Sequence, residues 1–567
     1  MSFTIFVKIY TMAKSNSNDT GIGAAIKKIF NLLWLDKKDI TDIYVYSIFA
    51  GLVSLSLPLG IQSIIGFVMA ADMSTSITIL IVLVLVGTFF NGWLQVKQLE
   101  IIEKIEQKIY VRYAMEYAHR LPKLDISKLD SYHLPELVNR FFDVASLQKS
   151  LHKLLVDIPT SIIQILFGTI LLAFYHPLFI AFGLMLLLIV IIILRFTSAN
   201  GFKTSMETSD YKYKTVGWFE EMARSIKSFK YAKETSLHLE RTDSILSKYL
   251  RARTSHFRIL KIQYWSMISF KLLIIAAMLI LGVTLLLSQQ INIGQFIASD
   301  IVIISIIASV EKLIVNMDQV YEALTAVEKI NKVALADIEP NGSLKLKPDA
   351  KAVSVRFEDV SFGYTKDNLQ LKEINLDVKK GDWLMIQGGS GAGKTTLLRL
   401  LTGAFQDFYG KILIDDIPIR NYDFQSLRNQ MSMLLGQQNI FQGTVRENLS
   451  LNNADMDFDN IKEMSELTGL QSYIESLPNG YDSILDPVGK RVPAQIRQQL
   501  LMTRALIGKH SLVLMETPFK YLDQKQIDKL VKKLKEDGST VIITSENTYC
   551  EKFADQIIVL EKGKLKL

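Results

Sequence analysis

The chain has 567 residues, 49% hydrophobic and 21% charged, with 64 Lys and Arg against 57 Asp and Glu. Two or more domains are expected at this length, and so much apolar character points to a membrane part. The single cysteine, Cys550, excludes an internal disulfide framework and a Cys-rich zinc site, and nothing in the thiol content indicates an oxidising compartment.

The first residues carry a short apolar patch without the long apolar core or small-residue cleavage site of a signal peptide, and Met12 is an alternative start. The stretch "IGAAIKKIFNLLWL" mixes apolar and basic residues as an interfacial amphipathic helix does, so residues 1–42 read as a tail ending in such a helix. Six apolar stretches follow, at 43–69, 76–94, 158–175, 178–196, 264–287 and 293–314. A membrane helix needs about 20 apolar residues to cross about 30 Å of hydrocarbon, and each stretch qualifies with some tilt. Within each successive pair the connection is short and free of Lys and Arg, whereas 95–157 and 197–263 are long and rich in both. Basic loops stay on the cytoplasmic side, which puts the long segments and both termini there, in a plasma or inner membrane. The positive balance is then a record of topology: the expected partner is a lipid bilayer, and nucleic acid is not expected.

The long segments, such as "EIIEKIEQKIYVRYAMEYAHRL", repeat apolar residues at helical spacing and would carry the membrane helices well beyond the lipid. Lys271 and Asp300 fall within apolar stretches; they mark a cavity or pathway, or else Lys271 snorkels and Asp300 sits near the outer end. Residues 43–335 thus form a membrane domain, and 336–351, with Pro340, Asn341, Gly342 and Pro348, a linker. From 352 to 567 short β-branched runs alternate with helical stretches, the pattern of an α/β domain.

Inside that last region "WLMIQGGSGAGKTTLLRLLTG" reads as strand, glycine-rich loop and helix. It holds G-x-x-x-x-G-K-[ST] as Gly388, Gly393, Lys394 and Thr395, with Gly389, Ser390, Gly391 and Ala392 between and Thr396 after. Glycines let backbone N–H groups turn inward onto phosphate oxygens at the positive end of the following helix. Lys394 is expected to reach the β- and γ-phosphates and the Thr395 hydroxyl to bind Mg²⁺. Further on, the apolar run "SLVLMETPFKYLDQ" stops at one carboxylate, Glu516.

These features resemble the nucleotide-binding domain of an ATP-binding cassette (ABC) protein fused behind a six-span exporter-type membrane domain. The resemblance runs through "VRFEDVSFGY", "GKILIDDIPIRNYDFQSLRNQMSMLLG", "IFQGTVRENL", "TRALIGKHSLVLMETPFKYLD" and "FADQIIVLEKGKL". In the membrane part "LPELVNRFFDVASLQKSL" and "EMARSIKSFKYAKE" resemble the stretches that carry coupling helices. It implies an α-helical type I exporter domain of six transmembrane helices plus an α/β P-loop NTPase domain, with ATP and Mg²⁺ as cofactors. It also implies that Tyr364 stacks on adenine, that Glu516 with Thr395 serves the metal, and that two halves sandwich the nucleotide. A fainter similarity to type I secretion and peptide exporters stays at the level of fold, since the short N-terminal region has no room for a peptidase domain.

Several family landmarks are altered. Where the family's strand ends Asp-Glu, this chain has Glu516 and Thr517, and a threonine hydroxyl cannot accept a proton as a carboxylate can. The loop glutamine falls on Gly436, with Gln437 adjacent, and the switch histidine falls on Ser545. The Leu-Ser-Gly-Gly-Gln signature is Val492, Pro493, Ala494, Gln495 and Ile496, and Pro493 removes a hydroxyl and an N–H. No catalytic residue is therefore assigned, and hydrolysis at this chain's own cradle is expected to be weak or absent. The expected activity is export of a substrate by a dimer, a heterodimer with a more complete half or else a homodimer. The alternative is an ATP-sensing membrane regulator or scaffold that transports nothing.

Overall fold

The computed structural model describes residues 22–69, 75–125, 127, 134–347, 350–365, 368–436, 438–453, 456–486, 491–545 and 548–566. The N-terminal tail through residue 21, Pro348 and Gln437 lie outside them. The chain divides into two compact units, one within Met1–Leu124 and Ser131–Asp337, the other within Asp125–Asp130 and Ile338–Leu567.

The first unit is helical. Helix α1 (Ile22–Trp34) buries Ala25 and Ile29 and exposes Ile26, Phe30 and Trp34, the amphipathic division expected of "IGAAIKKIFNLLWL". The first apolar stretch is one candidate span, Lys37–Met69, as expected, but it is built of two helices, α2 (Lys37–Ser54) and α3 (Ser56–Met69), with a pause at Leu55. Pro58 supplies the cause: it has no N–H to offer the Ser54 carbonyl four residues back, and its ring crowds that carbonyl. Helices α4 (Thr75–Arg120), α5 (Leu134–Asn139), α6 (Asp143–His152) and α7 (Ile158–Tyr175) follow. Then come α8 (Leu178–Arg224), α9 (Ile226–Tyr231), α10 (Leu237–Leu287), α11 (Ile293–Val315) and α12 (Met317–Ala334). Among the described residues, six helical stretches are long and apolar enough to cross a membrane. The 46, 47 and 51 residues of α4, α8 and α10 correspond to about 69–77 Å, more than twice the hydrocarbon thickness.

Ile165, Leu172, Phe179, Phe270, Ile274, Val302, Ile306 and Val310 form the bundle core. Polar side chains within it meet one another: Gln98 donates to Ser47 Oγ at 2.9 Å and Ser309 to Gln164 Oε1 at 2.9 Å. Lys271 is paired with Glu311 across α10 and α11 at 3.7 Å, and Asp300 is half-buried on α11.

In the second unit β1 (Val355–Phe362), β2 (Leu371–Val378), β4 (Tyr409–Ile414) and β5 (Ile417–Pro418) make an antiparallel sheet in the order β2-β1-β4-β5. A second sheet orders β12-β11-β3-β10-β9-β6. It contains β3 (Trp383–Gln387), β6 (Met431–Leu434), β9 (Leu512–Glu516), β10 (Thr540–Thr544), β11 (Gln556–Glu561) and β12 (Lys564–Lys566). All its neighbours pair in parallel except β11 with β12. The apolar runs of β3, β9 and β10 are buried almost throughout, as parallel strands covered on both faces must be. The pair β7 (Gly443–Thr444) and β8 (Ile484–Leu485) stands apart.

Candidate functional site

Parallel register aligns the carboxyl ends of four strands: Thr544 lies opposite Glu516 on one side and Ile386 on the other, and Leu434 opposite Met515. The residues just beyond those ends are Gly388–Gly393, Thr517, Ser545 and Gly436. In an open parallel sheet this is where ligands bind.

The glycine loop is held in a shape that side chains would forbid. Gly388 has φ +144°, and a Cβ there would lie 2.3 Å from the Leu560 carbonyl oxygen. Gly393 has φ +106°, with its Cβ position 2.7 Å from Leu371 Cδ2. Between them Gly389, Ser390 and Gly391 are exposed while Ala392 turns inward, its N–H on the Gly389 carbonyl at 3.2 Å. Gly393 is the N-cap of α13 (Lys394–Leu401) and brings no side-chain cap, so the first N–H groups of the helix face the loop. Lys394 Nζ bends back and donates to the carbonyls of Gly388 and Gly389, the latter at 3.1 Å.

Thr395 hydrogen-bonds Glu516 Oε1 directly, 121 positions away in the chain. The other oxygen, Oε2, accepts the Gly436 N–H at 2.9 Å. Two hard oxygens set side by side at the loop suit Mg²⁺, which takes few protein ligands and completes its shell with water and phosphate. Among the described residues no group of three or more His, Cys, Asp or Glu could hold a metal by itself.

Tyr364 is fastened at its hydroxyl, 3.4 Å from Thr396 Oγ1 and 3.3 Å from Arg399 Nη1. Its ring meets Phe362 and Phe405 edge-on, at 5.2 and 5.5 Å between centroids, and the residue remains 43% exposed. Thr396 itself is buried, so its hydroxyl serves the tyrosine and its N–H belongs to the first turn of α13.

Thr517 and Ser545 lie at the same strand ends. Thr517 has φ +45°, and its N–H donates to the Thr544 carbonyl at 3.0 Å. Ser545 is buried, with its N–H on the Ile386 carbonyl at 3.4 Å, close to Cys550, whose thiol is pushed up by burial and eased down by that serine. Pro493 is the N-cap of α18 (Ala494–Leu506) and offers no side-chain cap. Asp523, by contrast, caps α19 (Gln524–Asp537) in a reciprocal box with Gln526. Helices α14–α17 of this unit are Phe424–Asn429, Val445–Ser450, Phe458–Leu467 and Gln471–Ser476.

Three contacts escape a reading by motif. The Gly436 N–H on Glu516 is a backbone contribution from a position read only as a missing glutamine. Arg399 on Tyr364 had one faint signal, its place one turn beyond Lys394 and Thr396 on the same helix. Gln387 Nε2 donates to Glu551 Oε1 at 2.8 Å, a pair 164 positions apart without any local pattern.

Comparison with known families finds an ABC transporter transmembrane region over residues 43–310 and an ABC transporter domain over residues 371–520. The chain is 30% identical over 273 residues to an ABC transporter ATP-binding protein of Mycoplasma genitalium, an alignment spanning 46% of either protein. It is 23% identical over 531 residues to the lactococcin-A transport/processing ATP-binding protein of Lactococcus lactis, covering 93% of this chain and 74% of that one. The fold matches that of a bacterial Atm1-family ABC exporter solved with ATP bound, with a TM-score of 0.83 at 18% identity over 94% of each chain. Carrying both an ABC transporter transmembrane region and an ABC transporter domain, the chain belongs to the ABC transporters, with the fold of the exporter type.

Proposed function

We propose that this half-transporter binds Mg-ATP at the loop from Gly388 to Thr396, pairs with a second half, and moves a substrate out of the cytoplasm while hydrolysing ATP weakly or not at all at its own site. The observation that carries the reading is the contact of Thr395 with Glu516, followed at once by Thr517: oxygens fit for a metal, with no base in the next position.

The N–H groups of the loop and the first turn of α13 bind phosphate oxygens, and Lys394, already over the loop carbonyls, supplies a positive charge. The partly exposed ring of Tyr364 offers a flat surface to a base. Mg²⁺, when bound at Thr395 and Glu516, would neutralise phosphate charge. The proton of an attacking water has no acceptor at Thr517, whose hydroxyl is not basic near neutral pH. A lost general base typically costs about 10²- to 10⁴-fold in rate. Binding then closes a pair of ATP domains, and resetting falls to a companion half with complete motifs. A plasma or inner membrane with both termini cytoplasmic follows from the loop charges. The lactococcin-A relative makes a peptide the first cargo to assay.

The test is turnover of the purified full chain in lipid. Nucleotide binding that Lys394→Ala abolishes, with turnover near background, supports the reading. Robust Mg-dependent hydrolysis that Lys394→Ala abolishes defeats it. Co-purification with a second half, followed by transport by the pair, separates a transporter from a sensor.

A further inference from the structure

We infer that Gly436 and Glu516 are a matched pair, in which the missing side chain at 436 makes the room that the longer carboxylate arm needs to hold the metal. The inference rests on the reading of Glu516 and Thr395 as the Mg²⁺ site and assigns Gly436 as a positioning residue for it.

The glycine is not there for its backbone. Gly436 does not take a positive φ, so its conformation is one any residue adopts. Its neighbourhood gives a different reason: a Cβ would stand 2.9 Å from Glu516 Oε2, closer than real Cβ contacts run, and in ordinary contact with Cδ at 3.5 Å. What it would strike is the end of a flexible side chain, so the fold would survive the extra atom and the carboxylate would move. The position also contributes actively, since the Gly436 N–H holds Oε2 at 2.9 Å. With that oxygen tethered, the carboxylate plane is set and Oε1 is presented to Thr395 Oγ1. A free glutamate arm with one more methylene than aspartate would otherwise lose rotamer freedom on binding an ion. Parallel pairing of β6 with β9 brings these two residues together across 80 positions of sequence.

Residues that orient a ligand typically change metal affinity about 10- to 100-fold when altered. The decisive experiment is a double-mutant cycle on the full chain in nanodiscs, with Mn²⁺ as the probe followed by its EPR signal in the presence of ATP. ATP binding in EDTA and the thermal midpoint are read alongside. Gly436→Ala is expected to weaken Mn²⁺ binding about tenfold or more, while leaving metal-free ATP binding and the thermal midpoint unchanged. In the Glu516→Asp background, where the arm is shorter, the same substitution is expected to have no further effect. Equal losses in both backgrounds, or no loss in the native one, overturn the pairing and leave the Mg-ATP reading standing. A native chain whose Mn²⁺ signal does not respond to ATP, or is indifferent to Thr395→Ala, overturns the metal site and the pairing together.

Discussion

Thr517 occupies the left-handed region at φ +45°, which costs a β-branched residue about 1–2 kcal/mol, and the Thr544 carbonyl and hydroxyl hold its N–H there at 3.0 and 3.2 Å. Thr517→Gly should therefore raise the thermal midpoint of the ATP-binding unit in the full chain. Thr517→Glu should raise ATP turnover about tenfold or more if the missing base is the main deficit, measured by phosphate release with Lys394→Ala as the blank. His510 reports on pH. Burial holds its imidazole below the usual histidine range, opposed by a bond to the Ile507 carbonyl, so the folded chain keeps it neutral where the unfolded chain takes up a proton. Stability from this group is present above about pH 6.5 and is lost as pH falls below it, by at most about 1.4 kcal/mol per pH unit. His510→Gln should flatten that slope in denaturation curves collected from pH 7 down to pH 5.

Helix α18 illustrates how one residue sets the quality of an element. Its 13 residues begin after Pro493 without any side-chain cap, whereas α19 begins with the reciprocal Asp523–Gln526 box. Pro493→Ser should supply the absent hydroxyl and stabilise the helix start by about 1 kcal/mol, seen as slower amide exchange over its first turn. In the membrane unit α8 approaches α12 where Gly201 faces Tyr321, and a Cβ at Gly201 would lie 2.4 Å from the tyrosine ring. The Tyr321 hydroxyl accepts from Gln263 Nε2 at 3.0 Å, so the ring is not free to swing away. Gly201→Ala should cost about 1–3 kcal/mol by overpacking, read as a lowered thermal midpoint in detergent.

For the whole molecule the informative quantity is sidedness. The short connection around Ser288 lacks Lys and Arg, while the segment around Lys227 is rich in them, and charge of that kind stays cytoplasmic. In intact cells Ser288→Cys should react with a membrane-impermeant maleimide, and Lys227→Cys should react only after permeabilisation. Both engineered positions are exposed, and the native thiol, Cys550, is buried and contributes little background. The reverse pattern would overturn the expected topology.

Local steric and periodic constraints are written in consecutive residues, and they were readable there. The glycine loop is legible because Gly388 and Gly393 must take conformations that a Cβ forbids, and the membrane helices because about 20 apolar residues in a row have few soluble alternatives. Pro58 inside the first apolar stretch was equally visible, but hydropathy alone passed over the break it causes. Pairings between distant residues were not legible: Glu516 with Gly436, Tyr364 with Arg399, Gln387 with Glu551, Lys271 with Glu311. Each depends on which strand or helix lies beside which, and the order β3-β10-β9-β6 does not follow chain order. A substitution read along the chain as a lost side chain is, once β6 lies against β9, the space into which another side chain extends. Composition and motif are properties of neighbours in sequence, whereas the shape of a metal site is a property of neighbours in space.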